Sequence, residues 1–233
     1  NFIECNADYW YERYNKGIVS LYRPIDQFLV SIKDQVDYLK PEPVDSLILT
    51  VHNQEDIIED VLKGIEDNTD GNYELIVVVD GCTDKSEKVI TDYLKNSEIT
   101  NSVINTPDVF ETKANNVGLK LAQGKYVTII QDDMVIREKG WNTRMRKPFE
   151  AFDDVFAVTA RTAHNYEFNP NSTHLGMEED LDNCWCDIVD PCDEANQSNI
   201  DRNTFAVRST VNRGPLMINR EDLRKMNYFD EEF

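Results

Sequence analysis

No window of this sequence reaches about 18 consecutive apolar residues, so no membrane-spanning helix is expected within it. The first ten residues lack a basic start followed by an apolar run, so no secretory signal is read there. With neither feature, the expected compartment is the cytoplasm. Basic residues are scarce: 24 Lys and Arg stand against 44 Asp and Glu, a formal net charge of −20. That imbalance argues against nucleic acid or an anionic membrane as partner, because a polyanion needs a basic face. Cysteines number five, and an odd count does not suggest a full disulfide framework. Cys184, Cys186 and Cys192 cluster, but structural zinc takes four ligands and this cluster offers three thiols. No G-x-G-x-x-G follows an apolar run, which excludes the usual dinucleotide-binding turn. What remains is a chain of 233 residues with 40% hydrophobic and 10% aromatic residues. That is enough for one α/β domain with an appendage. The charge sets a problem, since an anionic substrate would need something to offset repulsion.

Ile25, Phe28, Leu29, Ile32, Val36 and Leu39 recur at helical spacing after Pro24, and Pro41 and Pro43 end the pattern. Residues 1–45 therefore read as an N-terminal helical extension, and 46–233 as the main domain. Residues 46–51, 74–79 and 125–130 are short apolar runs of the kind buried in a parallel sheet. Residues 102–105 form a weaker run, and 155–160 another. Between them lie helical patterns. Asn53 and Glu55 are expected to open one carrying Ile57, Ile58, Val61, Leu62 and Ile65. Asp84 is expected to cap a second, and residues 113–123 form a third closed by Gly124. A fourth runs from Trp141 to about Phe152. Strands alternating with helices predict a mostly parallel sheet flanked by helices. An irregular stretch, 166–201, holds ten acids and no Lys or Arg, about half of the net charge. It reads as a solvated flap.

In such sheets, ligands sit beyond the carboxyl ends of the strands. Those ends are 50–53, 80–84 and 131–133, and two of the three carry carboxylates. Asp80, beside a glycine turn, could accept the N3–H of uracil with Thr50 nearby, or could only cap the turn. Asp132 and Asp133 leave a β-branched strand side by side and repel each other unless a cation compensates. Mg²⁺ or Mn²⁺ is commonly held by one or two carboxylates plus substrate phosphates. Such a metal would also let an acidic protein bind a diphosphate. Lys113 and Asn116, at a helix start, either approach a phosphate or form a surface lysine and a cap.

In order, these residues resemble the family-2 glycosyltransferases, which have the nucleotide-diphospho-sugar transferase (GT-A) fold. The matching pieces begin with Leu47-Ile-Leu-Thr-Val-His-Asn-Gln-Glu55 and Tyr73-Glu-Leu-Ile-Val-Val-Val-Asp-Gly-Cys-Thr-Asp84. They continue with Ala114-Asn-Asn-Val-Gly118, Val127-Thr-Ile-Ile-Gln-Asp-Asp133 and Gly214-Pro-Leu-Met-Ile218, leading to Asn227-Tyr-Phe-Asp-Glu-Glu-Phe233. The resemblance implies a Rossmann-like central sheet and transfer of a hexosyl or N-acetylhexosaminyl group from a nucleotide-diphosphate sugar, with a UDP-sugar expected, to a hydroxyl acceptor with inversion. It implies that Thr50, His52, Asn53, Glu55 and Asp80 surround the base and ribose. Lys113 and Asn116 would face the diphosphate and sugar. Asp132 and Asp133 would lie at the DXD-like motif, with Asp133 as the metal-binding acid and Asp132 contacting nucleotide and metal. Val79, Cys82 and Gln131 depart from the family's pattern. The acidic pair that supplies the family's catalytic base would follow Phe233, which implies a longer chain with possible further domains.

The alternative reading is a non-catalytic sugar-nucleotide-binding or scaffolding domain of the same fold, favoured by the departures at Val79 and Gln131 and by the missing base. A sugar-nucleotide pyrophosphorylase should carry a Gly-rich loop after the first strand, and residues 50–54 hold no glycine. The acceptor, whether glycan, lipid or protein, would meet the irregular insertion at 164–205. There His164 and His174 could add metal ligands. Trp141 and Trp185 could stack on a sugar or pack internally.

Overall fold

The apolar runs form strands buried on both faces. A computed structural model describes residues 43–160, 165–166, 177–178, 189–190, 211 and 214–232. The chain divides into two units, Asn1–Glu42 and Pro43–Phe233. The expected N-terminal helix lies outside the described residues, as do His164, His174, Cys184, Trp185, Cys186 and Cys192. Strands β1 (Asp45–Val51), β2 (Tyr73–Asp80), β3 (Thr100–Thr106) and β4 (Tyr126–Gln131) are parallel. Strand β10 (Leu216–Asn219) runs antiparallel between β4 and β6 (Ala157–Thr159), completing the order β3-β2-β1-β4-β10-β6. Every residue of β1 is buried, as a central parallel strand requires, while β3 forms the edge and is half exposed.

The period of two divides the core. Leu47, Leu49, Val51, Leu75, Val77 and Val79 face one side, with α1 (Ile58–Asn68), α2 (Ser86–Leu94) and α4 (Trp141–Ala151). Ile48, Ile76, Val127 and Ile129 face the other, with α3 (Glu111–Leu121) and α5 (Arg220–Lys225). Gly118 lets α3 approach closely, since a Cβ there would lie 2.6 Å from Ile48 Cγ2. Trp141 is fully buried, and its indole N–H donates to Thr69 Oγ1 at 3.1 Å, so it is a core residue and not a sugar platform. At the start of β1, the fully buried Asp45 receives Asn142 Nδ2 at 2.6 Å and Arg146 on one oxygen, Oδ2. Burial pushes its carboxyl above the usual range, against the pull of Asn142 and Arg146.

Local expectations shift in three places. The first helix starts at Ile58, because Asn53 and Glu55 turn their side chains across to the 83–85 turn and cap nothing of their own. The third starts at Glu111 and leaves helical geometry at Ala122. Gly124 therefore does not close it; a Cβ there would lie 2.7 Å from the Asp45 carbonyl carbon, so the glycine serves close approach. Finally, the acidic stretch is not wholly irregular. β5 (Val135–Ile136) pairs with β9 (Val189–Asp190), and β7 (Asn165–Tyr166) with β8 (Met177–Glu178).

Candidate functional site

Because β1, β2 and β4 run in register, their carboxyl ends open on one edge, Thr50 lying opposite both Val78 and Gln131. His52 ties the three ends together. Its backbone N–H donates to Asp132 Oδ2 at 2.9 Å, and its ring Nδ1 lies 2.6 Å from the Asp80 carbonyl oxygen. A carbonyl only accepts, so Nδ1 carries the proton and Nε2 accepts from Asn53 Nδ2 at 3.0 Å. Asn53, in left-handed conformation at φ 55°, is a second hub. Its Oδ1 accepts from Thr83 N at 2.8 Å and Asp84 N at 3.3 Å, and its N–H donates to Cys82 Sγ at 3.3 Å. The thiol in turn donates to the Val51 carbonyl at 3.3 Å. Glu55 and Asp84 close the exchange: Lys85 N donates to Glu55 Oε2 and Glu55 N to Asp84 Oδ2. Asp84 Oδ1 also accepts the Ser86 N–H at the first residue of α2, from one position before the N-cap, which is Lys85 and not Asp84.

Asp80 is only 2% exposed, yet both described hydrogen bonds to its carboxylate converge on Oδ1, from Thr106 Oγ1 and Val109 N, each at 2.9 Å. The loop supplying them can approach because residue 81 is glycine at φ +59°; a Cβ there would lie 2.5 Å from Asp108 N. The loop then enters α3 through Phe110, at φ 68° and ψ 157°, whose carbonyl accepts the Ala114 N–H at 3.0 Å. Only glycine adopts that conformation readily, and another residue there costs about 1–3 kcal/mol. Phe110 is nevertheless 79% exposed, so packing among the described residues does not repay the strain.

The remaining expected residues fall in different places. The Thr50 hydroxyl donates to buried Asn115 Oδ1 at 2.7 Å and so braces α3 against the strand end. Asn116 is 1% exposed, with its amide spent elsewhere: Nδ2 donates to the Phe229 carbonyl at 2.8 Å and to Glu231 Oε1 at 3.0 Å, and Oδ1 accepts Phe229 N at 3.1 Å. Lys113 is exposed on the first turn of α3, and Asp133 is exposed beyond β4. Asp132 is half-buried. Its carboxyl is pushed upward by burial and by the charges of Asp133 and Glu111, against the His52 N–H. Carboxylate oxygens from adjacent residues, one half-buried and one exposed, with a surplus of negative charge, are the donor type that a hard divalent cation takes. Among the described residues, His52, Asp80 and Asp108 also offer ligand atoms within 4.8 Å of one another. Both ring nitrogens of His52 are already hydrogen-bonded, which favours the Asp132–Asp133 pair.

A family model described as glycosyl transferase family 2 matches residues 46–217. The chain belongs to glycosyl transferase family 2. An uncharacterized glycosyltransferase of Haemophilus influenzae is 30% identical over 98 residues, 42% of this chain and 39% of that protein. The putative teichuronic acid biosynthesis glycosyltransferase TuaG of Bacillus subtilis is 30% identical over 92 residues, 40% of this chain and 36% of TuaG. The chain thus spans less than two fifths of the length of these relatives. The structure of S. aureus TarS 1-349 in complex with UDP superposes with a TM-score of 0.50 at 19% identity, covering 81% of this chain and 50% of that 1-349 chain. The fold is that of a GT-A glycosyltransferase, a mostly parallel sheet flanked by helices. No helix among the described residues is long and apolar enough to cross a membrane. Sequence reasoning about this family-2 chain missed Asn115 and Phe110. Neither carries a local signal, because one acts through a strand 65 positions away and the other through its backbone angle.

Proposed function

We propose that this domain binds a UDP-sugar together with Mn²⁺ or Mg²⁺ and takes part in inverting transfer of a hexosyl or N-acetylhexosaminyl group to a hydroxyl acceptor. The observation that carries the reading is the meeting of Asp80, His52 and Asp132 at one sheet edge, on a fold that holds UDP in TarS. Asp80 is anchored through Oδ1, which leaves Oδ2 to accept the N3–H of uracil. The His52 ring and the Asn53 hub fix the turn that borders the base and ribose, and Glu55 holds the far side of that turn. Thr50 acts through Asn115, setting the angle of α3, and Lys113 at its start faces the diphosphate. Asn116 keeps the 227–231 turn seated on α3 and so shapes the sugar side. Asp132 and Asp133 would hold the metal, which would supply positive charge to offset that of the diphosphate leaving group. A carboxylate removes the acceptor proton as its oxygen attacks the anomeric carbon opposite the diphosphate. A metal held there would offset the repulsion that the −20 charge sets for an anionic donor.

The test is a thermal-shift panel of UDP, CDP, GDP and ADP, each with and without Mn²⁺. UDP with Mn²⁺ should give the largest rise in Tm. Absence of any nucleotide-dependent shift, or equal shifts for all four bases, would count against the reading.

A further inference from the structure

We infer that Phe110 is the stacking platform for the nucleobase and sets the affinity for the nucleoside part of the donor. The inference rests on the UDP-sugar reading above and adds a residue to it. Three observations meet at this position. The first is exposure: the ring is 79% exposed, although 31 other apolar side chains of the described residues are packed inside. The second is backbone conformation, φ 68° and ψ 157°, a region suited to glycine. Two anchors impose it, since Val109 N must reach Asp80 Oδ1 at 2.9 Å while the Phe110 carbonyl receives Ala114 N at 3.0 Å. The third is location. Phe110 follows directly the residue that holds Asp80, and it precedes Glu111, whose charge reaches Asp132.

A glycine would satisfy those two anchors without strain. A large aromatic held there at a cost, and left bare by the described residues, is expected to recover that cost from a bound partner. On the reading above, Asp80, bonded by the residue next to Phe110, receives the base, a group with a flat π-face. Base–aromatic stacking tolerates many bases, so Phe110 would supply affinity while Asp80 supplies choice among bases.

Calorimetry on the 233-residue chain tests this with two ligands, UDP with Mn²⁺ and pyrophosphate with Mn²⁺. Phe110→Ala should weaken UDP binding by about five- to a hundredfold, the range for one stacked base, and leave pyrophosphate binding unchanged. Phe110→Tyr should bind UDP as the wild type does. Phe110→Gly should lose UDP affinity like the alanine variant, yet raise Tm by about 2–4 °C because the strain is relieved. A residue needed only for folding would not gain stability while losing ligand. If the wild type binds UDP and Phe110→Ala binds it equally well, the platform is overturned and the nucleotide reading survives. Equal loss of UDP and pyrophosphate binding also overturns it, because the ring would then be acting on the diphosphate side. If the wild type binds pyrophosphate–Mn²⁺ but not UDP, or neither, the nucleotide reading falls and the platform falls with it.

Discussion

Replacing Asp80 by asparagine separates recognition from folding. The buried carboxylate uses Oδ1 for Thr106 Oγ1 and Val109 N. An asparagine keeps an oxygen in that place, so both bonds survive in neutral form, and loss of the charge also removes its desolvation cost. Stability should therefore change by less than about 1 kcal/mol. The other atom, in the place of Oδ2, becomes an N–H donor, which cannot accept the uracil N3–H. A hydrogen bond to a charged group, worth about 1.5–3 kcal/mol, is lost, and UDP affinity should fall at least about tenfold. Cytosine presents a lone pair at N3, so CDP should bind the variant better than it binds the wild type. The assay is calorimetry of UDP and CDP with Mn²⁺ on both proteins, with denaturant unfolding as control. Unchanged UDP affinity, or an equal fall for UDP and CDP in a normally stable variant, would refute the assignment.

Gly81→Ala places a Cβ 2.5 Å from Asp108 N at a positive φ, so it should cost at least about 2 kcal/mol in denaturant unfolding. It should weaken UDP binding too, by pushing the Asp80 loop away. Asn116→Ala removes both hydrogen bonds to Phe229, and should cost about 1–3 kcal/mol and speed amide exchange at Phe229. Unchanged exchange there would show that the turn is held by other contacts. Asp45 sets a pH dependence. Its carboxyl is raised by burial, so the folded chain holds the proton more tightly than the unfolded chain. Its stabilising contribution is then full below the ordinary carboxylate value and is lost as pH rises through the raised value. The stability difference between wild type and Asp45→Asn should accordingly fall across that interval, and a constant or rising difference would contradict it.

The strands were legible because β1, β2 and β4 are buried on both faces, and an unbroken apolar run is the direct record of that. The strand-end residues were legible through topology alone, since parallel register forces Thr50, Asp80 and Asp132 to one edge. Helix starts were less so, because their partners are distant in sequence. Asn53 looked like a cap for the next helix, but its carboxamide serves residues 83 and 84. Asn116 looked like a phosphate contact and is bonded to a residue 113 positions away. Phe110 has no signal in the sequence, because its distinction is a backbone angle imposed by two hydrogen bonds. The excess acid divides in the same way. Part lies in the 166–201 stretch, where position says little of purpose, and part at strand ends, where the proposed base and cation would meet it.

Metal-dependent nucleotide binding is the central claim, and calorimetry of UDP in the presence of Mn²⁺ tests it most directly. The account predicts saturable one-to-one binding by the wild type, weakened at least about tenfold in Asp133→Ala and by chelation of the metal. No binding of UDP by the wild type with Mn²⁺ present, or an affinity unchanged in Asp133→Ala, would contradict it.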